Sequence, residues 1–135
     1  MRLTVVVSTL FSFALLVACA TPSRPLITTP GADVSAAKHN AEGIEHYNMG
    51  HWDVAKKHFE AAIKSDPKAA EPQYNLALTL HELGVHSQAT DYFKKAAELA
   101  PGNTAITESS AYRSHTRPVS GFDGGRGYGM SGYGY

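Results

Sequence analysis

Residues 36–69 read AAKHNAEGIEHYNMGHWDVAKKHFEAAIKSDPKA, and residues 70–103 read AEPQYNLALTLHELGVHSQATDYFKKAAELAPGN. Set at an offset of 34, the two stretches pair Gly50 with Gly84, Ala55 with Ala89, Phe59 with Phe93, Ala62 with Ala96 and Pro67 with Pro101, while Gly43 meets Ala77, both small. In the second stretch Tyr74, Leu76, Ala77, Leu80 and Leu83 recur at helical spacing up to Gly84. Ala89, Phe93, Ala96, Ala97 and Ala100 do the same up to Pro101. The first stretch repeats the pattern, with Ala41, Ile44 and Tyr47 before Gly50, then Trp52, Ala55, Phe59, Ala62 and Ile63 before Pro67. Such spacing lays one apolar stripe along each helix. A glycine can close a helix in the left-handed conformation, and a proline cannot continue one. The fold class predicted is all-α: two helical hairpins, one over 36–69 and one over 70–103.

In this register the chain resembles the tetratricopeptide repeat family, carried in the first copy by Gly43, Gly50, Trp52, Ala55, Phe59, Ala62 and Pro67. The second copy supplies Ala77, Gly84, Ala89, Phe93, Ala96 and Pro101, with His86 where an aromatic is usual. His39 and Glu42 also depart from the large apolar residues typical of the family. Small residues at these places let two helices approach closely while the aromatics fill what remains, so Trp52, Phe59 and Phe93 are expected in the core. The resemblance implies a short α-solenoid whose first helices line a concave groove. Its lining residues would be Asn40, Ile44, Tyr47 and Asn48, then Glu71, Tyr74, Leu78, His81 and Glu82. Asn75 matches one member of the family's carboxylate clamp, but Asn40 and Ile44 replace its Lys and Asn, so capture of C-terminal carboxylates is not expected. A groove of tyrosines, aliphatics, amides and acids suits a peptide or helix with polar handles.

Outward from the repeats, residues 104–113 are expected to form a short capping helix with Asn103 as its N-cap. From Ser114 to Tyr135, glycines interleave with Phe122, Tyr128, Tyr133 and Tyr135, a composition that forms no packed core and reads as a disordered tail. Two repeats are few for a solenoid, so self-association or partner binding is expected.

At the other end, Met1–Ala20 reads MRLTVVVSTLFSFALLVACA: one Arg, an uncharged, mostly apolar run from Leu3 to Ala18, then small residues. The run is short for a spanning helix and has the profile of an export signal over 1–18, with a short uncleaved anchor as the alternative. Leu16-Val17-Ala18-Cys19 resembles the lipobox of bacterial lipoproteins, which implies lipidation at Cys19 and membrane attachment through acyl chains rather than a spanning helix. Ala20 after the cysteine implies, in the Gram-negative sorting pattern, the outer membrane facing the periplasm. Residues 19–35, with Pro22, Pro25, Pro30 and Gly31, read as a spacer between anchor and repeats.

Composition narrows the function. The chain has 135 residues, and its Lys+Arg and Asp+Glu counts are equal at 12, which argues against nucleic acid as a partner. The sole cysteine leaves no intrachain disulfide and no cysteine-based zinc site. Seven histidines invite a metal, yet none are paired at i, i+4 and there is no HExxH, so no metal site is expected. No nucleophile elbow or phosphate loop is present, and neither an enzyme nor a cofactor is expected. The reading is a lipid-anchored envelope protein whose repeats bind another envelope protein. The alternatives are a self-assembling structural protein that forms a homo-oligomer, and a small metal-binding envelope protein.

Overall fold

Asp33 opens the first helix: its carboxylate accepts the Ala36 N–H at 3.0 Å, and α1 runs over Val34–Asn48. The computed structural model describes residues 23–117. In them α2 spans Trp52–Ser65, α3 Ala70–Glu82, α4 His86–Leu99, α5 Thr104–Thr107 and α6 Ser110–Thr116, with no strand among the described residues. α1 pairs with α2 and α3 with α4 as antiparallel hairpins, α2 packs on α3, and α6 on α4.

Both hairpins turn by the same device. Gly50 and Gly84 each adopt φ +76°. The N–H that follows each glycine reaches back across the turn, His51 to the His46 carbonyl at 2.9 Å and Val85 to the Leu80 carbonyl at 2.8 Å. Each glycine's own N–H meets the Tyr47 or His81 carbonyl at 3.0 Å. This Schellman arrangement satisfies carbonyls that would otherwise be orphaned, and it needs a left-handed residue at the glycine. Pro67 and Pro101 lie just past the ends of α2 and α4, as their missing N–H requires.

The close approach inside each hairpin follows from the small residues. A Cβ added to Gly43 would stand 2.5 Å from the Phe59 ring. Ala55, Phe59, Ala62, Ala77, Ala89, Phe93 and Ala96 are fully buried, and Tyr74 meets Phe93 edge to face at 5.6 Å. Trp52, expected in the core, is only half-buried and sits at the hairpin edge, 4.8 Å from the Tyr47 ring.

Two segments differ from the sequence-based expectation. The capping helix expected over 104–113 is divided into α5 and α6, and helix continues to Thr116, into the stretch expected to be disordered. Ser109 causes the break: it takes an extended conformation, and its hydroxyl accepts the Tyr112 N–H at 3.2 Å, starting a new helix. Ala111 follows Ala77 by 34 residues, so α5 and α6 together stand as the first helix of a third unit. The second difference lies in the spacer, where residues 23–32 run over the groove face instead of leading away from it. Cys19, the export segment and residues 118–135 fall outside the described residues.

Candidate peptide-binding groove

Asn75 and Asn40 carry the centre of the site. They come from neighbouring units, α3 and α1, and both are buried. The Leu26 N–H donates to Asn75 Oδ1 at 2.7 Å, and a backbone N–H can only donate, which fixes the orientation of that amide. Asn75 Nδ2 then donates to the Leu26 carbonyl at 2.7 Å and to Asn40 Oδ1 at 2.8 Å. Asn40 Nδ2 completes the set, donating to the same carbonyl at 2.9 Å. One primary amide thus pairs with both main-chain groups of a single residue, as an adjacent strand would. No donor or acceptor in this buried network is left without a partner, the condition under which such a network stabilises.

The rest of the segment is tied at its two ends. The Ser23 hydroxyl accepts the Ala111 N–H at 2.8 Å and lies 2.9 Å from the Ser110 hydroxyl, so the start of α6 holds the start of the segment. Leu26 packs against the core, whereas Ile27 beside it points to solvent at 80% exposure. Residues 29–32 border the loop before α3 and the first turn of that helix. Between Arg24, Leu26, Tyr74 and the α5–α6 connection a cavity of about 270 Å³ remains.

This strap changes the state of the expected groove. Asn40, Glu71, Tyr74 and Leu78 are buried rather than open. Ile44, Tyr47 and His81 are half-buried, and Asn48 and Glu82 lie exposed at the rim. Every residue of α3 from Ala70 to Leu80 is buried, although a helix in an open groove would keep one face in water. At the rim the Tyr47 hydroxyl donates to Glu82 Oε1 at 3.3 Å; burial, then the Glu82 carboxylate, push its pKa up and keep it protonated. Burial also raises the Tyr74 pKa, with the Ser109 and Ser23 hydroxyls pulling the other way. Neither tyrosine ionises near neutral pH, and both serve as packing surfaces with a polar tip.

The histidines gather in two places. His39, Glu42 and His58 converge across α1 and α2, with Glu42 Oε2 3.3 Å from His39 Nδ1 and 3.1 Å from His58 Nδ1. His39 Nδ1 is buried and makes no hydrogen bond, its Glu42 contact being ionic in geometry, and Lys38 Nζ stands 3.9 Å from the other oxygen of that carboxylate. His81, His86 and His115 converge across α3, α4 and α6. Spacing along single helices could not reveal this second group. The repeat period could: His115 follows His81 by 34 residues, the same step that separates His81 from Tyr47.

A family model described as Tetratricopeptide repeat matches residues 40–104. Comparison with curated proteins finds none that matches. The matched span runs from Asn40 in α1 to the start of α5 and contains both glycine-closed turns and the close approach of Gly43 to the Phe59 ring. Residues 40–104 are thus a tetratricopeptide repeat segment, of the family whose helical hairpins are protein–protein interaction modules.

Proposed function

We propose that this protein is a lipid-anchored adaptor of the bacterial cell envelope that holds an extended segment of a partner envelope protein in the groove of its repeats. The observation that carries the reading is the paired grip of Asn75 and Asn40 on the Leu26 main chain. A groove that satisfies both backbone groups of one residue recognises extended chain, and the adjoining apolar wall selects a leucine-sized side chain. Residues 23–31 are the resident occupant, and a partner segment takes their place. Because the resident is covalently attached, its effective concentration is on the order of millimolar, and a partner must be presented at a comparable level or bind more tightly. The anchor rests on the Leu16–Cys19 motif, and Ala20 supports the outer membrane, facing the periplasm.

The test is a labelled synthetic peptide, SRPLITTPG, followed by fluorescence anisotropy against two forms of the chain. In one form Arg24–Thr28 is replaced by glycine and serine, and the other is unaltered. Saturable binding is expected for the replaced form, at least about tenfold weaker binding for the unaltered chain, and loss of binding when Asn75→Ala is added. If the replaced form fails to bind up to millimolar peptide, or binds equally well with Asn75→Ala, the groove does not recognise extended chain in this way.

A further inference from the structure

His81 and His86 occupy the places that Tyr47 and Trp52 hold in the first unit. Tyr47 and Trp52 meet edge to face at 4.8 Å, and His81 and His86 meet in the same way at 5.2 Å. The substitution replaces an apolar aromatic pair with two nitrogen ligands at the end of the second hairpin. His115 on α6 brings the third, its ring 5.0 Å from that of His81 and 5.5 Å from that of His86. We propose that His81, His86 and His115 form a binding site for a borderline divalent transition-metal cation, Zn²⁺ being the representative, which staples α6 to the second repeat.

The ligand geometry fits. The ring nitrogens offered by the three residues all lie within 4.8 Å of one another, and His81 Nδ1 is 2.9 Å from His115 Nε2. Tetrahedral zinc with Zn–N bonds of about 2.0–2.1 Å requires nitrogens roughly 3.3 Å apart, so small rotations suffice. His86 is exposed and free to make the largest of them. The second shell is also in place. The Thr90 hydroxyl donates to the His86 carbonyl at 2.9 Å, so its lone pair is left to accept the His115 Nδ1–H at 3.1 Å. That contact fixes the tautomer of His115 with the proton on Nδ1, so its Nε2 lone pair points at His81, accepting the His81 Nδ1–H at 2.9 Å, and a metal takes the place of that shared proton. The Phe93 ring, 5.2 Å from His115, backs the site with apolar surface.

All-nitrogen donors favour zinc, copper or nickel over the oxygen-seeking magnesium and calcium. The His39–Glu42–His58 group differs in kind, because its carboxylate bridges two imidazoles and has Lys38 close by. It therefore serves as the internal control.

The experiment is calorimetric titration of Zn²⁺ into the full-length chain, purified without a polyhistidine tag, together with His86→Ala, His115→Ala, Thr90→Val and His58→Ala variants. His86 is exposed, so its removal leaves the packing intact and keeps the test valid should His115→Ala loosen α6. The expected result is one equivalent lost in His86→Ala and His115→Ala, a loss of roughly tenfold or more in affinity for Thr90→Val, and that equivalent retained in His58→Ala. Mg²⁺ and Ca²⁺ should not compete, and Zn²⁺ should raise the unfolding temperature of the unaltered chain but not of His86→Ala. Retention of the equivalent in His86→Ala, or its loss in His58→Ala, would overturn the assignment.

Discussion

Asn75 makes three hydrogen bonds of 2.7, 2.7 and 2.8 Å in a site closed to water. Asn75→Ala removes the partner of the Leu26 N–H and one of those of Asn40, and a buried group left unpaired costs about 1–3 kcal/mol. Urea denaturation should show a loss of that size, and Asn75→Asp should show a loss too, since a carboxylate cannot donate to the Leu26 carbonyl. Gly43 makes a second prediction at this scale. Alanine is ordinarily the better helix former, yet its Cβ would fall 2.5 Å from a fully buried Phe59 ring. Gly43→Ala should therefore destabilise the fold, by roughly 1–3 kcal/mol in thermal or chemical unfolding, as overpacking does. The sequence makes Gly43 readable because Ala77 stands 34 residues later. Asn75 is harder to read: two of its three hydrogen bonds go to main chain, which leaves no pattern of side chains in the sequence.

The hairpin is the element that the sequence specifies most completely. Its turn glycine, its small contact residues and its helix-ending proline all recur at the same interval, and each has a distinct steric reason. Ala89 sits fully buried between α3 and α4, and Ala89→Leu should cost roughly 1–3 kcal/mol as its extra carbons force the pair apart. α6 was not legible in this way. Only Ala111 and His115 carry the repeat register forward, Ser109 interrupts the helix, and the glycine-rich tail begins soon after. The strap's path differs from the expected spacer for a related reason. Three prolines and a glycine between residues 22 and 31 indicate extended chain correctly, but local composition does not say what an extended chain lies against. The His81–His86–His115 group likewise comes together only when three helices are assembled.

At the scale of the molecule, a two-hairpin solenoid has little core of its own, and the strap and α6 add to it from both ends of the chain. Ser23 on the α6 N-terminus, Leu26 on Asn75 and Asn40, and residues 29–32 beside the start of α3 together explain why α3 is buried along its length. Residues 23–32, whose composition reads as a free spacer, are instead laid along the groove. Cys19→Ser should abolish acyl labelling and move the protein from the membrane fraction to the soluble one. Continued labelling of that variant would remove the lipid anchor from the proposal while leaving the groove untouched. The strap itself is tested most directly by amide hydrogen exchange at Leu26, read residue by residue by NMR. Bound to Asn75 Oδ1, the Leu26 N–H should exchange far more slowly than an open chain, and Asn75→Ala should remove that protection. A Leu26 amide that exchanges at the open-chain rate in the unaltered protein would contradict the account, because the groove would then stand empty of its own chain.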